Sequence, residues 1–361
     1  MIAHKIIRTA LVPTLILLSS CKHNPLSPTR DYEFNDVDPI WLPNGKIIYQ
    51  HLVWLDPPPH RSWEAHSSST WVIDPDGSNA HEIRENTEIA PGEGKFSPDG
   101  RWFVTTFYSE SPPYYGEVYK MPVRGFLPDP SEAVQLTSGG NNFSPNWSRD
   151  GEHIVYYHKQ AYPVGNDSLP SGTYLMRNDG TGKRCLAAYR GRPGDTPILS
   201  PDGKFLIHTH LDGECCNSFE VIVREIIADS SETIILAKTR HKHQSFRDVQ
   251  LTPDGTKVIF RSYVAPGQGP PELNGIFTMH TDGSDLHAIF SPWDLYHEVK
   301  QLGGLSLSPD GRRIVFSFGD PDFPEVRLWS RPLWIINIDG TGLRQLTSQS
   351  TYVSHHNRHL R

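Results

Sequence analysis

The chain has 361 residues, room for one large domain or two ordinary ones. Its 29 glycines and 31 prolines suit a turn-rich β protein better than a helical one. A net charge of −7 with no basic run argues against nucleic acid as a partner. In chain order, Lys5 and Arg8 precede an apolar run from Thr9 to Leu18. That run is too short to span a bilayer, which needs about 20 apolar residues. Residues 1–20 therefore read as a secretory signal.

Leu18-Ser19-Ser20-Cys21 follows. It resembles the lipobox of bacterial lipoproteins, an aliphatic residue and two small ones before the cysteine that becomes the lipidated N-terminus. The alternative is an ordinary signal with a chance cysteine. The resemblance implies lipidation at Cys21 and a place in the bacterial cell envelope, held to the membrane through the lipid alone. Lys22 stands where an Asp would resemble an inner-membrane retention signal, which favours the outer membrane. Residues 21–37 are expected to form a polar, lipid-anchored tether.

A repeat then takes over the chain. WLPNGKIIYQ begins at Trp41, FSPDGRWFVTTF at Phe96, WSRDGEHIVYY at Trp147, LSPDGKFLIHT at Leu199, LTPDGTKVIF at Leu251 and LSPDGRRIVFSF at Leu307. The turn glycines Gly45, Gly100, Gly151, Gly203, Gly255 and Gly311 are 55, 51, 52, 52 and 56 residues apart. Such a period marks a repeat architecture. Pro presets the first corner of a type I turn, Asp suits the second, and Gly takes the left-handed position that closes a hairpin. A second phrase follows most copies: WVIDPDGSNAHEI from Trp71, YLMRNDGTGKRCLA from Tyr174, IFTMHTDGSDLHAIF from Ile276 and LWIINIDGTGLRQLT from Leu333. It too reads strand, Asp-Gly turn, strand. Two copies lack the signature; one carries an insertion around Gly125–Pro130 and the other turns at Asp229–Glu232. The predicted fold is all-β: a six-bladed β-propeller of four-stranded antiparallel blades over residues 38–348. The tail, 349–361, is expected to lie against the first blade and help close the ring.

The alternation of Ser-Pro-Asp-Gly with an Asp-Gly hairpin and a closing Gln135-Leu136-Thr137 or Gln345-Leu346-Thr347 resembles the TolB-type six-bladed propeller. The resemblance implies the propeller alone, because the extra N-terminal α/β domain of TolB has no counterpart in the short stretch before the first blade.

Propeller geometry puts the tight turns on one face and the long, varied connections on the other, where binding usually lives. Those connections hold Trp54, Trp63, Tyr114, Tyr115, Tyr162, Tyr263, Trp293, Tyr296 and Trp329, a candidate binding face. Such aromatics either stack on sugars and grip peptides or pack their own loops. The connections also hold His241, His243, His297, His355 and His356, candidate ligands for a divalent metal, which needs three or four converging donors. Some lyases acting on oligogalacturonides look similar, a propeller with a metal held by loop histidines. Here the His241-x-His243 pair lies further ahead of its turn, and that family has seven blades. Cys185, Cys215 and Cys216 are an odd set once Cys21 is lipidated; a bond from Cys185 to either of the others spans too far, which leaves a strained vicinal Cys215–Cys216 bridge or buried thiols, and thiols are expected. No nucleophile elbow, phosphate loop or zinc helix is present in the sequence. The expectation is therefore a monomeric binding or scaffold module without a required cofactor. Its partner would be an envelope protein, a peptide or a glycan. A metal-assisted oligosaccharide lyase is the alternative.

Overall fold

The computed structural model describes residues 32–55, 67–85, 94–109, 116–139, 141–159, 170–188, 196–211, 219–225, 233–238, 244–264, 270–293, 302–319 and 331–348. The signal, Cys21 and the tail 349–361 lie outside them.

The chain is an all-β propeller of antiparallel sheets, each built from strands consecutive in sequence. The first sheet holds β1 (Tyr32–Trp41), β2 (Ile47–Leu55), β3 (Ser67–Ile73) and β4 (His81–Glu85). The second holds β5 (Gly94–Phe96), β6 (Trp102–Tyr108), β7 (Gly116–Arg124), β8 (Leu127–Pro128) and β9 (Val134–Gln135). The next are β10 (Asn141–Trp147) to β13 (Arg184–Ala188), with β11 (His153–Lys159) and β12 (Gly172–Arg177) between, and β14 (Ile198–Leu199), β15 (Phe205–Leu211), β16 (Phe219–Glu225) and β17 (Thr233–Lys238). Then come β18 (Gln244–Leu251), β19 (Lys257–Val264), β20 (Gly275–His280) and β21 (His287–Phe290). The last sheet is β22 (Leu302–Leu307), β23 (Arg313–Phe318), β24 (Leu333–Asn337) and β25 (Arg344–Gln345).

Two expectations need correction. The first strand reaches back to Tyr32, so residues 32–37 belong to the sheet and not to the tether. Phe34, Asn35 and Asp36 are buried there, and a tether would leave them in water. The second sheet has five strands and not four, because the insertion splits its outer edge. Pro130–Glu132 forms a short 3-10 turn capped by Asp129, so β8 pairs one end of β7 and β9 the other.

The Ser-Pro-Asp-Gly phrase works as a closed hydrogen-bond circuit. Ser97 Oγ donates to Asp99 at 2.6 Å and accepts from the Trp102 amide at 2.9 Å. Asp99 also accepts from the Arg101 amide, and the Gly100 amide donates to the Ser97 carbonyl at 2.9 Å. The circuit recurs at Ser148/Asp150, Ser200/Asp202, Thr252/Asp254 and Ser308/Asp310. The hydroxyl bond, then the amide bond, hold the Asp99, Asp202 and Asp254 carboxyls below the usual carboxylate range. Successive turns also touch. A Cβ at Gly255 would stand 3.0 Å from Pro201, and one at Gly311 only 2.5 Å from Pro253. Glycine is thus required twice over, for its positive φ and for the proline of the preceding turn.

Apolar clusters fill the seams between sheets. Ile48 and Val72 pack with Phe96 and Phe126; Val104 and Val118 with Trp147 and Tyr156; Ile207 with Phe246 and Val258; Ile259 and Ile276 with Leu302 and Phe316. Each such side chain contributes about 1.5–3 kcal/mol on full burial. The first and last sheets meet in the same way, through Phe34, Trp41 and Trp71 against Val315, Leu333 and Leu346. A parallel bridge between Asn35 and Arg331 adds to this contact, and the Asp36 amide donates to the Arg331 carbonyl at 2.8 Å.

Candidate functional site: a charged collar in the central channel

The innermost strands line a central cavity of about 590 Å³, within the range of small-ligand sites. Four of these strands carry a bulge, where register shifts between Val37 and Ile40, Phe143 and Asn146, Arg247 and Gln250, and Leu302 and Leu305. In three of them the extra residue has positive φ: Asp38 (51°), Ser144 (51°) and Asp248 (53°). A bulge re-aims the side chain it carries, and short polar residues tolerate the left-handed conformation best. Asp38 and Asp248 both line the cavity.

Below the bulges, polar side chains of the wall are used to join neighbouring strands. Gln250 donates to the Leu305 carbonyl at 2.9 Å and accepts from the Leu307 amide at 2.7 Å. Asn146 donates to the Pro197 carbonyl at 3.1 Å, and Ser306 Oγ accepts from the Trp41 amide at 3.1 Å. Between them the wall is apolar, formed by Ile40, Trp41, Phe96, Ile198, Val249 and Leu305. The cavity runs down to Pro43, Pro98 and Pro309, the tight turns.

At the bulge level the chemistry changes. Asp38, Lys95 and Asp248 face the cavity, and Arg261 and Arg331 come in behind them. Arg261 Nε pairs with Asp248 at 2.8 Å, and its Nη1 donates to the Leu302 carbonyl. Asp38 and Lys95 form no ion pair among the described residues. The Asp38 side chain is open to the channel, yet protein surrounds it on most sides, and that desolvation pushes its carboxyl above the usual range. Arg261, Lys95 and Arg331 pull the other way and do not win. Desolvation, then repulsion from Arg261, lowers Arg331, while Asp38 and Tyr263 favour its charge. Asp38, Lys95 and Asp248 thus line the channel at this level, with Arg261 paired to Asp248 from behind, and Arg149 lines it lower down.

Of the aromatics expected on the binding face, Tyr263 lies on β19, half-buried and beside this collar, and Trp293 is half-buried after β21. Trp54 lies within β2. Trp63, Tyr114, Tyr115, Tyr162, Tyr296 and Trp329 lie outside the described residues, as do His241, His243, His297, His355, His356, Cys215 and Cys216. Cys185 is exposed and stands outside any disulfide among the described residues. Sequence reading missed the collar. Its signal was a spacing: Asp38, Ser144 and Asp248 each stand seven residues ahead of a turn glycine, at Gly45, Gly151 and Gly255. No residue of a mostly β, turn-rich phrase advertises that it points into a channel, and Arg331 sits at the end of a long connection.

No protein-family model matches the chain, and no curated protein is similar to it in sequence. Solved structures share its fold. The tricorn protease matches over 87% of this chain and 26% of its own, with 15% identity and a TM-score of 0.52. A Mycobacterium tuberculosis puromycin-hydrolyzing peptidase matches over 87% of this chain and 53% of its own, with 15% identity and a TM-score of 0.51. TolB from Acinetobacter baumannii covers 70% of this chain at 18% identity, with a TM-score of 0.45, and this chain spans 53% of it. At such identities the likeness concerns the fold.

Proposed function

We propose that this chain is a six-bladed, lipid-anchored propeller of the bacterial envelope that works as a binding or scaffold module. Its partner docks on the rim of long connections and reaches into the channel mouth. The observation that carries this reading is the collar: Asp38 and Asp248 set on bulges, with Lys95 beside them, above a largely apolar cavity of about 590 Å³ in which Asn146, Gln250 and Ser306 already serve the fold. Asp38 and Lys95 line the cavity without an ion pair among the described residues; such charges are costly to a fold, and function is the usual reason to keep them. Cys21 supplies the anchor, and the outer membrane is the expected site.

Site-specific photo-cross-linking tests the reading. A photoreactive residue at Tyr263, beside the collar, should yield adducts with envelope material in cells. One at Asn79, in a tight turn of the first sheet, should not. Equal labelling from both positions would refute a working rim. Cys21→Ala should abolish palmitate labelling and release the chain from the membrane fraction.

A further inference from the structure

We propose that the channel mouth binds a small apolar zwitterion, a free α-amino acid or a short peptide with both ends unblocked, with Asp38 accepting its ammonium and Lys95 holding its carboxylate. The proposal goes beyond a partner docking on the rim: it rests only on the channel mouth of that reading, and gives it a small ligand.

Three observations lead there. The first is a balance of charge. The charged side chains that line the cavity are Asp38, Lys95, Arg149 and Asp248, two of each sign. Asp248 is engaged by Arg261 Nε at 2.8 Å, and Arg149 stands exposed at the level of the tight turns. That leaves Asp38 and Lys95 at the bulge level, one acid and one base, with no ion pair between them among the described residues. A simple anion entering here is repelled by Asp38 and a simple cation by Lys95, whereas a zwitterion answers both and takes no net charge out of water. The second is the geometry that keeps the two apart. Asp38 sits on the β1 bulge, and its Oδ1 is held toward β22, where a Cβ added at Gly304 would stand 3.3 Å from it. Lys95 belongs to β5, in the sheet on the other side of β1. It is near enough to favour the charge on Asp38 and yet is not bonded to it. A gap between opposite charges suits a molecule whose own ammonium and carboxylate lie a few bonds apart. The third is what lies beneath. Ile40, Phe96, Val249 and Leu305 form an apolar wall below the charges, which an apolar side chain can cover. Asn146, Gln250 and Ser306 are bonded to neighbouring strands, so a hydroxyl-rich ligand finds their polar atoms taken.

The test is isothermal titration calorimetry on the full chain in mild detergent. The ligands are leucine and dileucine, each unblocked, N-acetylated and C-amidated. An unblocked ligand should bind saturably, and each block should weaken it about tenfold or more, since each removes one charge-assisted contact. Tighter binding of leucine points to a free amino acid and tighter binding of dileucine to a short peptide; either supports the proposal. The blocked ligands test the parent protein and need no variant to fold. The variants then pair with the blocks. Asp38→Asn should weaken the unblocked ligand about tenfold and should not weaken the N-acetyl form, which has no ammonium to lose. Lys95→Met should weaken the unblocked ligand about tenfold and should not weaken the C-amide. Arg149→Met should bind as the parent does. Asn tolerates the left-handed backbone at position 38, and the Lys95 main-chain carbonyl keeps its bond from Trp147 Nε1 at 3.0 Å in the Met variant. The proposal is overturned by no binding of either unblocked ligand, by equal binding of blocked and unblocked forms, by unchanged affinity in Asp38→Asn or Lys95→Met, or by a loss in Arg149→Met as large as in Lys95→Met. Photo-cross-linking from Tyr263 reports separately, so failure of the zwitterion leaves the binding rim standing or falling on its own result.

Discussion

Two seams of the ring solve one problem in different ways. Between the second and third sheets, Glu117 Oε2 accepts from Thr137 Oγ1 at 2.6 Å and from Asn142 Nδ2 at 2.9 Å, and Asn142 Oδ1 meets His158 Nδ1 at 3.0 Å. Between the last and first sheets, Asp36 takes the place of Asn142. Asp36 pairs with His51 across β1 and β2 as Asn142 pairs with His158 across β10 and β11. Asp36 Oδ2 accepts from Thr347 Oγ1 at 2.5 Å, and Oδ1 meets His51 Nδ1 at 2.7 Å. The closing Thr is constant: Thr137 accepts from the Val118 amide, and Thr347 from the Leu333 amide, both at 2.8 Å. What moves is the carboxylate. In the internal seam it belongs to the same sheet as the Thr, so the hydroxyl bond stays within one sheet. In the closing seam, where residue 332 is proline, the carboxylate sits on the other sheet, and the hydroxyl bond crosses the gap. The chain runs directly from Thr137 to Asn142, but 311 positions separate Thr347 from Asp36. Among the described residues no strand is shared between the first and last sheets, and a fully buried carboxylate–hydroxyl hydrogen bond spans the break.

The comparison breaks most sharply at Asp36. Asp36→Ala leaves His51 and the Thr347 hydroxyl buried against a void, and should cost about 3–5 kcal/mol, the range for removing one partner of a buried pair. Asn142→Ala removes a neutral amide and should cost about 1–2 kcal/mol. Urea denaturation of both variants decides this; equal losses would mean that the closing seam is no more dependent on its polar lock than any other.

A narrower cut is made by Thr347→Val against Thr137→Val. The changes are chemically identical, and each leaves a carboxylate and a backbone amide short of one partner, at about 1–3 kcal/mol. Only the first also severs a bond between sheets. Hydrogen exchange should therefore accelerate in β1 and β22 for Thr347→Val, while Thr137→Val accelerates exchange in β7 and β9 and leaves the β10 seam protected. Matching exchange patterns would erase the distinction between the seams.

The turns and strands were legible because their physics is local. A Ser, an Asp and a Gly at fixed spacing complete the same bond circuit wherever they occur, so each copy can be read alone. Even the worn copy keeps the amide acceptor, since Asn44 Oδ1 takes the Lys46 amide at 3.1 Å. The closing Thr was visible as part of Gln-Leu-Thr, but its partner was not, because Glu117 stands 20 positions before its Thr on the same sheet whereas Asp36 stands 311 positions before its Thr on another. The collar was hidden for the same reason. Asp248 and Arg261 meet within one hairpin, but Asp38, Lys95 and Arg331 come near them only once the ring is closed, and nothing local marks them as neighbours. The splitting of the second sheet's edge was foreshadowed by the Gly125–Pro130 insertion, yet the sequence of the insertion does not say that both halves still pair with β7.

Acid should affect both seams alike, which makes pH a control on the comparison. The turn carboxyls at Asp99, Asp202, Asp254 and Asp310 lie below their ordinary value, chiefly through the Ser or Thr hydroxyl. A group depressed on folding stabilises the fold above its unfolded pKa of about 3.9 and loses that contribution as pH falls through the folded value. These turns recur around the ring, so melting temperature should fall below about pH 4 in the parent and in both Thr variants together. The side chains are largely exposed and solvent screens them, so the fall should be shallow. A steep loss above pH 5 would place the acid-sensitive element elsewhere. Asp38 acts with the opposite sign. Its carboxyl is raised by burial, so its charged form burdens the fold as pH rises through and beyond 3.9, and Asp38→Asn should melt higher than the parent at pH 7 and not at pH 3.

The smallest effect belongs to a pair of cations that do the same task at the two seams. Lys120 Nζ donates to the Asn178 carbonyl at 2.6 Å, carrying the second sheet onto a turn of the third, and rests 4.8 Å from the centre of the Trp102 ring. Arg344 donates to the Pro75 and Asp76 carbonyls, carrying the last sheet onto the corresponding turn of the first. Lys120 is partly withdrawn from water, enough for desolvation to lower its pKa, whereas Arg344 stands in solvent. Truncating Lys120 should cost about 1 kcal/mol, from the lost contact on Trp102 and the lost bond. Truncating Arg344 should cost a few tenths of a kcal/mol, or about the error of the measurement. If the order were reversed, the surface of the closing seam would hold the ring, and the buried Asp36–Thr347 bond would be secondary to it.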